Sequence, residues 1–430
     1  MKYAIVTFGC RVNQADSLQI EQELVASGGV AAAPSDADLV IVNTCSVTAS
    51  ADQGARQTIR RIARDNPATR VVVTGCYATR RPDELAALPN VVAVVANPDK
   101  HRLIELTQTT AQRFSGGDGP CGATLEPGVA GRTAFTLRVQ TGCEERCSYC
   151  IIPSTRGAGH SLPIADVTRE IARIAAAGFK EIALTGVHLG SYGRDLRPRA
   201  SLHQLLCAIG EMPVDVTFRV SSLEPMDCTP PIVELLAASN GRFAPHYHLP
   251  LQHASDRVLA RMRRPYTRGE YERLVESIAT RQPHASIGSD MIVGFPGESD
   301  GDFEENLAYL PASPLSHIHV FPYSDRPGTS ASEMTGKVHG SVIRDRATRL
   351  RAIGADLARR FRERQAGSIR PGLTLEDGTL VVTDNYLKMR IPSGVPRNER
   401  VWVRIGEDGV RATCVPRDAA LAPRPASTPS

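Results

Sequence analysis

The sequence predicts an α/β protein that consists of a small N-terminal parallel α/β domain, a central partial (βα)6 TIM-like barrel and a small C-terminal β-barrel. Three observations support this fold class. Short apolar runs alternate with helical patterns over the first ~100 residues, six more strand candidates follow from Phe135 onward, and β-like runs return after an arginine-rich helix. With 430 residues, the chain is too long for one ordinary core, so several domains are expected.

The same pattern places the boundaries between the domains. A stretch rich in Gly, Pro and Thr, from Ser115 to Gly131, has turn chemistry without periodicity and is predicted to be a linker. The C-terminal end is rich in Pro, Ala and Ser and is predicted to be disordered. The predicted units are an N-terminal domain at 1–115, the barrel at 132–340, a basic linking helix at 341–366, a C-terminal domain at 367–416 and a tail at 417–430.

The N-terminal domain is predicted from the apolar runs YAIVTFG, DLVIVNTC, RVVVTGC and VVAVVA, which helical patterns separate. The first three of these strands end at Cys10, Cys45 and Cys76. The carboxyl ends of parallel strands meet at one edge of a sheet, where α/β proteins bind ligands. A lone cysteine after a buried strand is more often a small core residue, but three such cysteines favour an iron-sulfur cluster with one open iron.

The central barrel is predicted from six strand candidates with helices between them. The usual barrel of this type has eight βα units, so six units predict a partial barrel with its chemistry at the C-terminal ends of the strands. The candidate strands are FTLRVQ, EIALTG, VTFRVSS, HYHLPL, SIGSDMIVG and SHIHVF.

A second group of cysteines, Cys143, Cys147 and Cys150, follows the first barrel strand with the spacing C-x-x-x-C-x-x-C. Soft thiolates favour iron-sulfur clusters and each thiolate binds one iron, so this group predicts a [4Fe-4S] cluster with one open iron. An open iron can bind a cosubstrate and pass an electron to it directly. The alternative is a zinc site with His160 as the fourth ligand, but zinc sites usually combine two ligand pairs, and the sequence has no second C-x-x-C.

Composition and charge exclude several classes of protein. No apolar run approaches the ~18 residues of a membrane helix, and the N-terminus MKYAIVTFGC has the pattern of a strand, so we expect a cytoplasmic protein that does not bind a membrane. In such a chain the ten cysteines are expected to be metal ligands or buried thiols and not disulfides. The net charge of +4 is only weak support for nucleic-acid binding.

The distribution of charge is more informative than the net charge. Nine arginines lie between Arg344 and Arg370, and apolar residues recur at helical spacing from Leu350 to Phe361. The segment is therefore predicted to be an amphipathic helix with a basic outer face. Two interpretations stay open, a solvated face of a helix that packs on its own domain or a contact with a polyanion. The runs LTLEDGTLVVTDNYLKMRIP and ERVWVRIG then predict a small β-barrel.

Several motifs of the chain resemble those of the radical S-adenosylmethionine methylthiotransferases, and within that family those of the branch that acts on threonylcarbamoyladenosine in tRNA. The resemblance runs from about Tyr3 to Ile405, nearly the whole chain. The motifs are FGCRVNQADS, NTCSVTASAD, TGCYA, VQTGCEERCSYCIIPSTRG, LTGVHLGSYG, VSSLEP, HLPLQHASDRVLARMRRPYT, SDMIVGFPGES and VFPYSDRPGT.

The resemblance implies roles for particular residues. The cysteines of the barrel would ligate the [4Fe-4S] cluster that binds S-adenosylmethionine, and those of the N-terminal domain would ligate an auxiliary [4Fe-4S] cluster. The chain departs from the looser radical-enzyme pattern G-x-I-x-G at Asp290, so no backbone contact with the cosubstrate is expected there. Contacts with S-adenosylmethionine are expected at Tyr149, Thr185, Gly186, Ser222, Glu224 and Gly294.

The implied reaction replaces the hydrogen on C2 of an adenine, at position 37 of tRNA, with a methylthio group. This hydrogen is not acidic, so a general base cannot remove it near neutral pH and radical chemistry is needed. Two molecules of S-adenosylmethionine are implied per turnover, one as radical source and one as methyl donor. The expected partners are the anticodon loop of a tRNA and an external electron donor. The C-terminal domain resembles a TRAM RNA-binding domain, and we expect a monomer.

Two other functions stay open. A sibling enzyme would methylthiolate isopentenyladenosine in tRNA or an aspartate of a ribosomal protein, although the motifs GCRVNQADS and HVFPYSDRPGT favour the threonylcarbamoyl branch by resemblance. A noncatalytic iron-sulfur RNA-binding protein would also use the basic helix and the small barrel. The modified nucleosides of cells that lack the gene distinguish these functions.

Overall fold

Residues 1–107 and 133–417 are described by a computed structural model of the chain. The predicted linker from Ser115 to Gly131 and the predicted tail after Arg417 lie outside the described residues. The described chain forms a parallel sheet, a barrel of parallel strands, a long helix and an antiparallel sheet, which confirms the predicted fold class. None of its helices is long and apolar enough to cross a membrane.

The N-terminal sheet contains the four predicted strands and one short edge strand that the sequence pattern does not reveal. Its strands are β1 (Lys2–Thr7), β2 (Val30–Ala31), β3 (Leu39–Thr44), β4 (Arg70–Gly75) and β5 (Val91–Val95), and its helices are α1 (Arg11–Ala26), α2 (Ala49–Asp65), α3 (Cys76–Arg80), α4 (Pro82–Ala86) and α5 (Leu103–Thr107). The strands are parallel in the order β2-β1-β3-β4-β5. Helices cover both faces, so β3 is buried along its whole length. Doubly wound sheets of this order bind ligands where β1 and β3 diverge.

The barrel contains all six predicted parallel strands and a short antiparallel pair. Its strands are β6 (Phe135–Arg138), β7 (Gln140–Thr141), β8 (His160–Ser161), β9 (Glu181–Thr185), β10 (Thr217–Val220), β11 (His246–His248), β12 (Ser286–Val293) and β13 (His317–Pro322). Its helices are α6 (Ile152–Arg156), α7 (Ile164–Ala176), α8 (Leu202–Gly210), α9 (Pro230–Ala237), α10 (Asp256–Arg261), α11 (Arg268–Arg281) and α12 (Asp300–Tyr309). The sheets β10-β9-β6 and β11-β12-β13 meet at a bridge between Phe218 and Phe243, which makes an open six-stranded barrel.

The last part of the chain forms the helix α13 (Gly340–Gln365) and a C-terminal sheet. The strands are β14 (Ile369–Leu375), β15 (Leu380–Thr383), β16 (Lys388–Arg390), β17 (Arg400–Ile405) and β18 (Ala412–Val415). They are antiparallel in the order β16-β15-β14-β17-β18. A bridge between Arg390 and Arg411 brings the two edges together, so the sheet curls into a half-barrel, in agreement with the predicted small β-barrel.

The helix α13 has the predicted apolar face, but its basic face is less uniform than predicted. Apolar residues from Leu350 to Phe361 pack into the protein core. Arg346 is buried, with its guanidinium 2.8 Å from a Glu298 carboxylate oxygen and 2.6 Å from an Asp300 oxygen. A buried charge needs such partners because an unpaired one is costly. The prediction of a basic outer face is therefore wrong for Arg346.

Candidate active site

Cys143, Cys147 and Cys150, called the barrel cysteines from here on, lie in the loop between β7 and α6. Gly142 begins this loop with a φ of +73°, and a Cβ there would lie 1.8 Å from the carbonyl oxygen of Ala158, so only glycine fits. The Cys150 N–H donates to the Cys147 carbonyl at 3.2 Å. The loop thus holds three half-buried thiols at one end of the barrel.

Positively charged groups lie beside two of the barrel cysteines. Arg264 donates to the Sγ of Cys147 at 3.1 Å. His188 places its Nδ1 3.9 Å from the Sγ of Cys143 and its Nε2 2.7 Å from a carboxylate oxygen of Asp227. Burial would lower the pKa of His188, but these hydrogen bonds raise it to about 9, so the imidazolium form is favoured. The two cations lie where they would offset the negative charge of thiolates, the form of cysteine that binds metals.

Cys10, Cys45 and Cys76, called the sheet cysteines from here on, follow the adjacent strands β1, β3 and β4. Gly9 has a φ of +93° and packs so closely that a Cβ there would lie 2.5 Å from the Cβ of Cys45. Asn97 donates from Nδ2 to the Sγ of Cys76 at 3.6 Å. The structure therefore brings together, at one edge of the sheet, three cysteines that are far apart in sequence.

Burial raises the pKa of thiols in both groups. It raises the pKa of Cys150 to about 12 and that of Cys45 to about 11, where neighbouring cysteines add to the effect. Burial also raises the pKa of Cys147, although Arg264 opposes it. Such thiols stay protonated at neutral pH unless a metal cation replaces the proton. The donor chemistry therefore fits metal ligands better than nucleophiles.

The zinc alternative requires ligand atoms that lie close together. Zinc holds sulfur ligands at ~2.3 Å, which places the sulfurs less than ~4 Å apart. Across residues 1–107 and 133–417, neither cysteine group brings three ligand atoms within 4.8 Å of one another, with or without His160. A cluster takes one thiolate per iron and accepts ligands that are further apart. A cluster at each cysteine group stays a prediction.

A cavity of about 190 Å³ lies where the N-terminal sheet meets the barrel. Val47 and Thr48, which follow Cys45, line one side, and Tyr149 and Cys150 line the other. A larger cavity, of about 580 Å³, lies between the barrel and the C-terminal sheet and contains none of the barrel or sheet cysteines. The loop after Cys45 and the loop of the barrel cysteines thus share the smaller cavity. Its barrel side also includes Gln252, Asp290 and Ile292.

A buried carboxylate joins the two domains beside this cavity. Asp16 on α1 is fully buried and accepts from Lys100 at 2.7 Å, from Arg156 at 3.0 Å and from Arg138. Burial would raise the pKa of Asp16, but the three cations hold it well below its usual range. Because Arg138 and Arg156 belong to the barrel, this Asp16 cluster links the barrel to the N-terminal sheet.

A second set of ion pairs fixes the loop that follows β3. Arg326 reaches from the barrel to the N-terminal domain and donates to Asp52 at 2.7 Å. Asp52 also binds Arg80 at 2.5 Å and accepts from the hydroxyl of Ser46 at 2.8 Å. Sequence reasoning missed this Asp52 cluster and the Asp16 cluster. Asp16 lies in FGCRVNQADS, Asp52 in NTCSVTASAD, Arg156 in CIIPSTRG and Arg326 in VFPYSDRPGT, but these motifs do not indicate which residues pair.

Three of the residues expected to contact S-adenosylmethionine lie at the ends of β9 and β10. Thr185 is the last residue of β9 and is buried. Gly186 follows it, and a Cβ there would lie 2.9 Å from the side-chain oxygen of Gln140. Ser222 is exposed, with its hydroxyl 3.1 Å from Nδ1 of His248. All three positions lie at the end of the barrel that holds the barrel cysteines.

The other three expected contacts lie near the same end. Tyr149 lines the smaller cavity, and Glu224 forms an ion pair with Arg264. Gly294 follows β12 with a φ of +78°, and a Cβ there would lie 2.4 Å from a side-chain carbon of Ile343 on α13. The contacts of all six residues with S-adenosylmethionine stay predictions.

Two segments of the chain match known families. Residues 2–97 match the uncharacterized protein family UPF0004, and residues 137–310 match the Radical SAM superfamily. The first segment contains the sheet cysteines and the second contains the barrel cysteines.

Curated proteins similar to the chain include bacterial methylthiotransferases. A threonylcarbamoyladenosine tRNA methylthiotransferase of Aquifex aeolicus is 36% identical over 91% of this chain and 96% of its own. A ribosomal protein uS12 methylthiotransferase of Desulfosudis oleivorans is 33% identical over 87% of this chain and 88% of its own. Among solved structures, a radical S-adenosylmethionine methyltransferase of Kitasatospora setae matches with a TM-score of 0.54 and 17% identity, over 77% of this chain and 74% of that one. That likeness supports the fold alone.

Proposed function

Because the chain belongs to the radical S-adenosylmethionine methylthiotransferase family, we propose that it converts N6-threonylcarbamoyladenosine at position 37 of tRNA to the 2-methylthio derivative. The relative from Aquifex aeolicus bears the name of this activity and matches nearly the whole chain. The structural observation on which the proposal rests is that the loop after Cys45 and the loop of the barrel cysteines line one cavity.

In this proposal the barrel cysteines and the sheet cysteines each hold a [4Fe-4S] cluster. Three thiolates suit this role because they leave one iron of each cluster without a protein ligand. When bound, the clusters would pass on an electron from the external donor and carry the sulfur to be inserted, and two molecules of S-adenosylmethionine per turnover would supply the radical and the methyl group.

The side chains around the cavity orient these groups. Arg264 and His188 place positive charge beside Cys147 and Cys143, which would offset the negative charge of cluster-bound thiolates. The Asp16 and Asp52 clusters hold the N-terminal sheet against the barrel, and in this proposal a base in the cavity would lie between the two cysteine groups. Tyr149 and Ile292 contribute apolar surface to the cavity wall.

The RNA would bind outside this cavity. Exposed arginines of α13 and the C-terminal half-barrel offer positive charge to the phosphates of an anticodon loop, whose unstacked bases can enter an active site. We further propose a monomer that works in the cytoplasm with an external electron donor.

Two other candidate functions stay in view. The relative from Desulfosudis oleivorans bears the name of a ribosomal-protein methylthiotransferase at a similar identity, so a sibling activity on an aspartate, or on isopentenyladenosine in tRNA, is the second candidate. A noncatalytic iron-sulfur RNA-binding protein is the third. The shared cavity favours an enzyme, because a binding protein has no need for a cavity between the loops of two cysteine groups.

Mass spectrometry of tRNA nucleosides from cells that lack the gene tests the proposal. We expect 2-methylthio-threonylcarbamoyladenosine to disappear and its unmethylthiolated precursor to accumulate. Complementation with the wild-type gene should restore the product, and a variant with the barrel cysteines changed to Ala should not. Unchanged 2-methylthio-threonylcarbamoyladenosine, with loss of another methylthio group, would identify a sibling activity.

A further inference from the structure

The second half of the barrel presents a group of imidazole and carboxylate side chains that the methylthiolation proposal does not use. His248, Asp290 and His319 lie on the neighbouring strands β11, β12 and β13, and one ligand atom of each lies within 4.8 Å of the others. In the part of the chain that the structure describes, this is the one group with such spacing. We propose that these three side chains bind a divalent first-row transition-metal ion, separate from any iron-sulfur cluster.

The strand register explains why these residues meet. Asp290 pairs with His319 across β12 and β13, and His248 pairs with Gly288 across β11 and β12. Side chains two residues apart on a strand point to the same face, so all of these positions belong to one face of the sheet. A Cβ at Gly288 would lie 2.3 Å from a ring nitrogen of His317. Glycine at this position therefore makes room for the imidazoles.

Two of the three donor atoms are already as far apart as neighbouring ligands of one metal ion. Nε2 of His248 lies 3.1 Å from Oδ1 of Asp290. An ion with bonds of ~2.1 Å holds neighbouring ligands ~3 Å apart, so this pair needs no rearrangement. The ring of His319 is centred 5.8 Å from that of His248, and its side chain is exposed, so rotation can bring its nitrogen to the ion.

A hydrogen bond orients the first of these ligands. Nδ1 of His248 lies 3.1 Å from the hydroxyl of Ser222, which leaves Nε2 directed at Asp290. Metal-binding histidines usually have their second ring nitrogen fixed by such an outer partner. The contact distinguishes His248 from a histidine that merely fills space in the barrel.

The donor set indicates the class of ion and of further ligand. Two imidazoles and one carboxylate on one side of an ion are typical of non-haem iron(II) sites and also occur with zinc, and they leave coordination positions open. Asp290 lines the smaller cavity together with Tyr149 and Cys150, so the open positions face that cavity. They would accept an oxygen donor, such as a carboxylate or a hydroxyl group.

Cobalt(II) is a suitable probe for this site. Anaerobic full-length protein with oxidised, diamagnetic [4Fe-4S] clusters is dialysed against Co²⁺, and bound cobalt is counted and recorded by electron paramagnetic resonance. We expect the wild type to bind one equivalent more than His319→Ala and Asp290→Asn, with loss of one high-spin signal in each variant. The matched control is His203→Ala, which removes a half-buried histidine of α8 outside the group and should bind cobalt as the wild type does.

Iron content and melting temperature show whether each variant keeps its clusters and its fold. The side chain of His319 is exposed and Asp290→Asn preserves shape, so both variants are expected to fold. Cobalt binding equal to the wild type in either variant would overturn the proposal and leave His248 and Asp290 as an ordinary hydrogen-bonded pair. The test measures metal binding and does not measure methylthiolation. A negative result would therefore contradict the metal site without bearing on the proposed function.

Discussion

Asp16 shows how a single residue can join two domains. Its carboxylate is fully buried and binds Lys100 from its own domain together with Arg156 from the barrel. Removal of one partner from a buried ion pair leaves an uncompensated charge, which costs more than the pair contributes as a whole. The cluster therefore constrains the geometry of the domain interface more than it adds net stability.

We predict that Asp16→Asn lowers the melting temperature and reduces the free energy of unfolding by about 3–5 kcal/mol, because Lys100 and Arg156 lose their counterion. The pKa of Asp16 lies well below its unfolded value of ~3.9, so its contribution is present above about pH 4 and is lost as the pH falls below that value. Thermal unfolding between pH 7 and pH 3 measures this. The exposed Asp36→Asn is the control. A difference between variant and wild type that persists unchanged at pH 3 would contradict the assignment.

The two cysteine groups are predicted to hold equal amounts of iron. Changing the barrel cysteines to Ala should remove about half of the iron of the reconstituted protein, and changing the sheet cysteines should remove the other half, because each group holds one of two equal clusters. Colorimetric iron analysis under anaerobic conditions measures this, with the half-buried Cys207→Ala as control. Iron content that barely falls in either triple variant would exclude that group as a cluster site.

At the scale of elements, α13 serves two purposes. Its buried Arg346 binds Glu298, and Glu298 accepts the N–H groups of Gly294 at 2.5 Å and Phe295 at 3.0 Å. The helix therefore supports the turn after β12, where a contact with S-adenosylmethionine is expected. The inner face packs on the barrel, as the first interpretation of the arginine-rich segment has it, and the contact of the outer face with a polyanion stays a prediction.

We predict that Arg344→Gln combined with Arg351→Gln weakens tRNA binding, because both side chains are exposed on α13. The logarithm of the association constant for tRNA falls linearly with the logarithm of the salt concentration. The slope of this line should become less steep by ~0.7–0.9 for each phosphate that the variant no longer neutralises. Filter binding at several salt concentrations measures the slope. Arg60→Gln with Arg61→Gln removes the same charge from the exposed face of α2 and should change the slope less. Equal effects of the two pairs would mean that α13 has no special part in RNA binding.

At the scale of the whole molecule, the domain interface determines which groups share a cavity. The loops after β3 and β7 belong to different domains, and the Asp16 and Asp52 clusters hold them together. Both clusters are buried, so salt screens them little. The relative position of the two cysteine groups is therefore a property of the interface and not of either domain alone.

We predict that Arg326→Gln separates the cleavage of S-adenosylmethionine from the methylthiolation of the substrate. The variant should keep the iron of both clusters and should still cleave S-adenosylmethionine, but the methylthio product per 5′-deoxyadenosine should fall about ten- to a hundredfold, since a displacement on the order of 1 Å can cost this much. Liquid chromatography with mass spectrometry measures the ratio. Arg257→Gln removes an ion pair with Asp302 inside the barrel domain and should leave the ratio unchanged. An unchanged ratio in Arg326→Gln would show that the interface has no part in coupling.

Local patterns predicted the strands well, and the exceptions have physical reasons. The six barrel strands and four strands of the N-terminal sheet are apolar runs of several residues, and such runs are visible without knowledge of their neighbours. The edge strand β2 has only two residues, both exposed, so it lacks an apolar pattern. The position of Arg346 on the inner face of α13 depends on the carboxylates of Glu298 and Asp300, which no pattern within the helix indicates.

The sequence by itself determined the fold class, the two cysteine groups and the family, because these depend on residues close together along the chain or on strand ends that parallel topology brings to one edge. Only the tertiary structure decided that the loop after Cys45 and the loop of the barrel cysteines border one cavity, which ion pairs join the domains, and that His248, Asp290 and His319 converge. These features arise from contacts between side chains that are distant in sequence. Such contacts form only after helices and strands pack, so a local sequence pattern does not indicate them.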